Sequence, residues 1–386
     1  MSDTLPGLEG RIHVQLRLKA GRVADVTVTS TRRVQACRVL EGRGLEEVPR
    51  LVSLLFSVCR NAQVQAAQTA CEQAMGQAPD PAGWVRRELQ VLAETLHEHC
   101  RMVLVDWPFL LGEEPDVAGF ARVRAALHDI RRVLTADENV VVDRAVSDTL
   151  KAFGTVVREC LALDADVLGD EAALRTWAHA RRGPTARSLH RVLEMGLGGF
   201  GRSDVAPLPP IDPGDLDAAL NADWAGELAA RPHWQGRVYE TGPLARMHDH
   251  PLLMGALLER YGNGLLTRLA ARLLELLALP QRMCNLLNLP DLEREIHQSG
   301  CGNGTGIGLG VVEAARGRLV HRVEAVDGKV VRYQILAPTE WNFHPEGALT
   351  RGLLHSDAGD VEMFRRNLSL LVAALDPCVA YDVTVQ

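Results

Sequence analysis

Two cysteines and an arginine stand where metal or anion chemistry would need them. Cys378 sits in "DPCVAYDVT", with the spacing of half a C-x-x-C metal motif, because Tyr381 occupies the position where a second cysteine would complete it. Cys59 sits in "SVCRNAQ". Thiolates are soft ligands that select transition metals. Arg316 sits in "EAARGRLVHR". Its guanidinium keeps its charge and offers five donors in a fixed fork, which suits a bound anion. An ordinary surface ion pair fits the residue as well, and composition does not choose between the two.

Other candidates carry less. The eight cysteines, Cys37, Cys59, Cys71, Cys100, Cys160, Cys284, Cys301 and Cys378, include no C-x-x-C pair. That argues against a disulfide framework and a zinc knuckle, and a free cysteine is commonly a small buried hydrophobe. "LHEHC" (His97, His99, Cys100) and "HDHP" (His248, His250) look like ligand clusters. Histidines two apart on a helix point to different faces, and the proline after His250 starts a helix, so surface or capping roles are expected. His297 and Cys301 straddle a helix end and fit either reading. "GCGNGTGIGLG" looks like a nucleotide loop, but the dinucleotide fingerprint needs a strand before it and a helix after it. Here the order is reversed. These glycines let backbone approach something closely, either packing or a cofactor.

The elements that must position these residues follow from periodicity. Residues 9–30 alternate apolar and polar and break at Ala20-Gly21, which predicts a β-hairpin. The period is helical from Val48 to Met75, with Cys59 inside that stretch, and again over about 84–105, 117–134, 138–163, 170–181 and 185–196. "GFGRSDVAPLPPIDPGD" reads as a surface loop. Further helices are expected over about 251–278 and 280–297, then the glycine loop. Two alternating strands joined at Asp327-Gly328 follow, a strong hairpin signal. A last helix, Val361 to Leu375, runs into Asp376-Pro377-Cys378. Strands at both ends with helices between predict an α+β fold, and the lack of a flexible linker predicts one domain over 1–386.

Composition narrows the function. The chain has 386 residues, 47% of them hydrophobic, enough for a large core, and a formal charge of -7 that argues against nucleic acid. Arg131, Arg132, Arg181 and Arg182 are interspersed with acids and read as solvated helix faces. "LLTRLAARLLELLALP" is interrupted by Arg268, Arg272 and Glu275 and is too short to span a bilayer, so it reads as an amphipathic helix. The start, "MSDTLPGLEGR", lacks the basic residues and apolar core of a targeting segment, and a soluble cytoplasmic protein is expected.

Taken together, five segments resemble the large subunit of NiFe hydrogenase, in order and from end to end. "EAARGRLVHRVEAVDGKVVRYQILAPTEWNFHP" is similar to that family's E-A-P-R-G-x-L-x-H stretch with its Y-Q and P-T-x-W-N-x-x-P continuation. "TGPLAR" is similar to V-G-P-L-A-R, "LEGRIHVQLRLKAGRVADV" to the opening I-E-G-H hairpin, "SLLFSVCRNAQVQAAQTACE" to the R-x-C-G-x-C-P-x-A-H helix, and "DPCVAYDVT" to the terminal D-P-C-x-x-C-x-x-H. The resemblance implies a large-subunit-like fold, with central helices and N- and C-terminal β-hairpins.

The resemblance also implies a depleted site. The family holds nickel and iron between four thiolates, two of them bridging. Cys59 takes a bridging position and Cys378 a terminal nickel position. Phe56 replaces the other terminal ligand, Tyr381 the second bridging cysteine, Gln63 and Thr384 two histidines, and Cys37 falls near an acid that helps hold magnesium. Two thiolates cannot supply four bonds and bridge a second metal, so no nickel and no hydrogen turnover are expected. Arg316 and Thr339 match the residues that hold the iron's cyanides, and Glu9 resembles the hairpin acid; a carbonyl ligand would want apolar walls, which the residues around Leu336 and Ala337 could provide. Ala315 replaces a proline. This pattern looks like the HupK/HoxV type of accessory protein. It implies a scaffold or chaperone, not an enzyme, that holds an Fe(CN)2(CO) group briefly through Cys59 and Cys378 and passes it on. Its implied partners are HypC-like small chaperones, related iron-ligand assembly proteins and the large-subunit precursor. Arg316 is expected to lower thiol pKa values, and Cys301 is a third possible ligand. The alternatives are a catalytic or hydrogen-sensing subunit with a modified centre, and a metal-free protein that binds the precursor or occupies a docking face.

Overall fold

The computed structural model describes residues 10–32, 34–77, 80–136, 144–163, 165–287, 300–302 and 304–386. Glu9, His297 and most of the expected 280–297 helix lie outside them. The expected hairpin forms: β1 (Arg11–Lys19) and β2 (Arg22–Ser30) pair antiparallel. Ala20 and Gly21 turn the chain with positive φ, the local conformation a tight two-residue hairpin requires. Ile12, Val14 and Leu16 bury one face of β1.

The helical region begins with α1 (Val48–Leu55) and α2 (Arg60–Ala74), so the single stretch expected over 48–75 is two helices. Phe56 breaks it by taking extended backbone at the end of α1, and Cys59 becomes the N-cap of α2. Next come α3 (Pro81–Arg101), α4 (Val117–Ala136), α5 (Arg144–Leu161), α6 (Glu171–Ala180) and α7 (Pro184–Glu194). The expected surface loop is only partly one. Val205 and Leu208 are buried, and α8 (Pro213–Ala222) starts within it. Then α9 (Leu265–Leu286) runs unbroken through Pro280. It is not amphipathic in the expected sense, since Arg268, Arg272 and Glu275 are all buried. Their spacing of four and three aligns them on one inward stripe.

The glycine run is strand at both ends and bends only at Gly304–Gly306 among its described residues. It forms β3 (Gly300–Gly302) and the start of β4 (Ile307–Ala314), which join β5 (Gly317–Val326) and β6 (Lys329–Leu336) in one antiparallel sheet of order β3-β4-β5-β6. The glycines serve packing. A Cβ on Gly308 would fall inside contact distance of the Ala70 carbonyl, and one on Gly310 would meet that of Ala66. Ala62, Ala66, Ala70 and Ala74 give α2 a matching small face. Asp327 and Gly328 turn β5 into β6, as expected.

The last helix, α10 (Val361–Leu375), ends at Asp376 in left-handed conformation. An unexpected strand follows, β7 (Ala380–Val385), which lies parallel to β1 and closes a sheet of order β2-β1-β7. Among the described residues no helix is long and apolar enough to cross a membrane.

Gly308 has no room for a methyl group, whereas Gly328 sits at an open turn with φ of 73°. Gly308→Ala should therefore cost about 1–3 kcal/mol by overpacking. Gly328→Asn should stay within about 0.5 kcal/mol, since asparagine tolerates this conformation. Urea unfolding midpoints of the two variants check the contrast, and equal midpoints would refute this account of the glycine run.

Candidate metal-ligand site

Two chain breaks build the site. The corner between α1 and α2 presents Cys59, half-buried, and Cys59 supplies no side-chain cap to its own helix. Glu94 of α3 caps it instead, accepting from Asn61 N at 2.8 Å and Ala62 N at 3.2 Å. Burial pushes the Glu94 carboxyl up to about 7, against those two hydrogen bonds. The second break is the turn after α10. Asp376 ends the helix, and Cys378 is presented just before β7.

The short helix Pro338–Asn342 fastens the two parts. Thr339 Oγ1 donates to Cys378 Sγ at 3.0 Å and accepts from Cys378 N at 3.3 Å. Asn342 Nδ2 donates to the carbonyls of Arg316 and Leu375, each at 3.3 Å. Cys59 and Cys378 lie within electrostatic reach of each other, and Arg316 and Arg32 lie within reach of both thiols. The four residues singled out from the sequence, Cys59, Cys378, Arg316 and Thr339, therefore converge. Cys301 does not join them. It donates to Pro213 O at 3.4 Å, and its neighbours abut Thr69 and Gln73, about 15 Å or more along α2 from Cys59 by helical rise. Cys37 donates to Tyr333 O at 3.0 Å. Among the described residues, no group of three or more His, Cys, Asp and Glu side chains forms a metal site.

Arg316 is buried, so the surface ion-pair reading does not hold. Its Nη2 donates to Glu98 Oε2 at 3.0 Å, and its Nε lies 3.2 Å from Asp376 Oδ1 as an ion pair. Its Nη1 has no hydrogen-bond partner among the described residues. Burial opposes ionisation of Glu98, but His97, Arg316 and Arg101 bring it down to about 2. Arg316 lowers the Cys59 thiol, as expected, but other causes outweigh it. Burial pushes that thiol up to about 12, Cys378 and Glu94 add to it, and the pull of Arg316 is smaller.

His99 is neither on the surface nor a cap. It is fully buried, with Nδ1 accepting from Arg272 Nη1 at 3.0 Å and Nε2 donating to Glu275 Oε2 at 2.9 Å. Burial and the Arg272 charge hold it neutral. His97, two residues earlier, is half-buried beside Glu98. His248 is partly exposed beside Asp249, and His250 Nδ1 caps Leu252 N at 3.3 Å, as expected for surface and capping groups.

Two features had no local signal in the sequence. Gln63 donates to Cys59 Sγ at 3.6 Å, and its Oε1 takes the Nε2 proton of His321 at 2.8 Å. Tyr333 OH then donates to His321 Nδ1 at 2.7 Å. Burial lowers His321 to about 3, so it stays neutral in this chain of donors. The second is Arg32, whose Nη1 lies 3.7 Å from Cys378 Sγ and 3.2 Å from Glu340 Oε1.

These features bring two thiols, Cys59 and Cys378, to one corner of an α+β fold. The chain matches the nickel-dependent hydrogenase family over residues 227–383. Its fold is similar to the Ni-Fe-Se hydrogenase from D. vulgaris Hildenborough, with a TM-score of 0.61 at 17% identity over 93% of this chain and 94% of that one. It is 34% identical to the hydrogenase expression/formation protein HoxV of Cupriavidus necator, over 96% of this chain and 94% of that protein. It is 32% identical to HupK of Rhizobium leguminosarum bv. viciae, over 98% and 97%. The chain belongs to this HoxV/HupK family of hydrogenase expression/formation proteins.

The buried neutral histidines set a pH dependence. Unfolded, His99 and His321 titrate near 6.5. Below that pH the unfolded chain takes protons that the folded chain refuses, so stability falls. Glu94 works in the opposite direction, because its folded value of about 7 exceeds its unfolded 4.5 and the folded chain is protonated first. His344, buried and lowered in the same way, adds to the loss, so the histidines outweigh Glu94 and stability falls from pH 6.5 to 5. The urea midpoint should fall over that range, and Glu94→Gln should steepen the fall. A flat profile in both proteins would contradict the assignment.

Proposed function

We propose that this protein serves hydrogenase maturation as a carrier, holding an Fe(CN)2(CO) group as cargo between Cys59 and Cys378 and passing it to a large-subunit precursor. The observation that carries the reading is the unpartnered, buried Nη1 of Arg316 beside two thiols. A buried donor without an acceptor is costly, and a cyanide nitrogen on an iron between the two sulphurs would satisfy it. Thr339 adds a hydroxyl at Cys378.

Two thiolates would complete a five-ligand shell around an iron that arrives with its three diatomic ligands already bound. They leave few bonds to break on delivery. Metal binding displaces the thiol proton, and burial, by favouring the neutral thiol of Cys59, works on the side of release. The reading makes the protein a cytoplasmic accessory factor and not an enzyme. It receives cargo from a HypC-like chaperone and its assembly partners.

The test is an infrared spectrum of protein purified without oxygen from cells expressing the iron-ligand assembly machinery. Bands in the range of metal-bound CO and CN are expected, and they should vanish in Cys59→Ala and in Cys378→Ala. Arg316→Met should retain iron but shift the CN bands, since it removes the donor. A blank spectrum from the unaltered protein would replace iron carriage with a metal-free role in binding the precursor.

A further inference from the structure

Nickel does not fit this site, and the structure shows what stands in its way. The two residues aligned with nickel's terminal ligands are Phe56 and Cys378. Both face the same side chain. The Arg32 guanidinium carbon lies 5.8 Å from the centroid of the Phe56 ring, and Nη1 lies 3.7 Å from Cys378 Sγ. Glu340 holds it from behind at 3.2 Å. The pair is enclosed, with side-chain exposures of 11% for Arg32 and 8% for Glu340.

We propose that Arg32, braced by Glu340, occupies the place of the second metal and keeps the site mononuclear. The proposal rests on reading Cys378 as a metal-facing thiol. Three physical points support it. A guanidinium keeps its proton in any protein environment, so the charge is permanent. A divalent cation entering the same volume would meet that charge at short range and low dielectric, where repulsion is strong. Phe56 offers the guanidinium its π face and offers a metal nothing. Arg32 also gives the Cys378 sulphur a hydrogen-bond donor without forming a coordinate bond that delivery would have to break.

The placement is built by register. Ser30 at the end of β2 pairs with Ile12, and Ile12 pairs with Tyr381 of β7. Arg32, just past β2, and Cys378, just before β7, therefore lie at the same end of the sheet, on the two strands that flank β1. The Arg32–Glu340 pair joins this end to the short helix that carries Thr339. Arg32 is thus a specificity-determining residue. It decides how many metals the site admits, while Cys59, Cys378 and Arg316 serve the iron group.

The test uses cargo-free, full-length protein and nickel alone. Phe56→Cys adds a third thiol at the nickel side while Arg32 remains. Phe56→Cys/Arg32→Met and Phe56→Cys/Arg32→Gln then remove the cation, the second keeping more polarity should the first fold poorly. Nickel affinity is measured by equilibrium dialysis against a competing chelator. Circular dichroism checks that each variant is folded. Removing Arg32 should tighten nickel binding at least tenfold over Phe56→Cys alone. Equal nickel affinity in folded variants with and without Arg32 would overturn the proposal. The iron-carrier reading stands or falls on infrared bands of loaded protein, so the two failures are distinguishable.

Discussion

The ionic core that surrounds Arg316 is charge-balanced, and the balance governs what else can be buried around it. Arg246, Arg272, Arg316 and Arg318 stand against Glu98, Glu275, Glu313 and Asp376, with neutral His99 between Arg272 and Glu275. Replacing such a core with apolar residues is often neutral or stabilising, whereas removing one member strands a buried charge. Its contribution is therefore geometric. The network ties α3, α9, the turn after α10 and the β4–β5 hairpin tip into one arrangement, and it reaches Arg246 of "TGPLAR". With those partners fixed, the hairpin tip holds Arg316 in one orientation. Nη1 is left without a partner among the described residues, and Nε has only the ion-pair contact with Asp376.

Steric constraint complements this electrostatic one. Gly308 and Gly310 bring β4 so close to α2 that only small residues fit between them. The interface runs from Ala74 back to Ala62, three residues from Cys59. The height of Cys59 above the sheet is thus set by the closest packing that backbone allows. That leaves little slack in the position of the Cys59 sulphur relative to Cys378. Cys378 is fixed differently, by a strand pair at the other end of the chain and by the Thr339 hydroxyl. The two thiols belong to separate substructures that the ionic core clamps together.

Much of the fold was legible from local pattern. Both hairpin turns are where Ala20-Gly21 and Asp327-Gly328 put them, and Cys59, Cys378, Arg316 and Thr339 could be picked out from motif positions. What was illegible depends on long-range partners. β7 has no signal of its own, because a short parallel strand needs β1 to exist. Without it nothing in "TSTRRVQAC" marks Arg32 as a neighbour of Cys378. The stripe Arg268, Arg272, Glu275 reads as a solvated face by composition. It is buried because each charge finds a partner from another element, and a single helix does not reveal its partners. His99 was misjudged for the same reason. The helix break at Phe56 escaped because apolar periodicity continues across it, and the strands at the ends of the glycine run escaped because small residues hide strand alternation.

The environments of the two sulphurs are those that the proposed carrier role would require. The donor chain from Tyr333 through His321 to Gln63 has one polarity. Gln63 presents its oxygen to His321 Nε2, which must then carry the proton, so Nδ1 accepts and Tyr333 donates. Every donor in that chain points toward Cys59. Thr339 and Arg32 point donors at Cys378 in the same way. Sulphurs stabilised by hydrogen bonds need fewer bonds to metal, because each donor offsets part of the negative charge a second metal would otherwise neutralise. A hydrogen bond exchanges with a neighbouring acceptor far more readily than a metal–thiolate bond breaks. On the proposed reading, donors from Gln63, Thr339 and Arg32 at the two sulphurs lower the cost of emptying the site. That trade favours transfer over turnover.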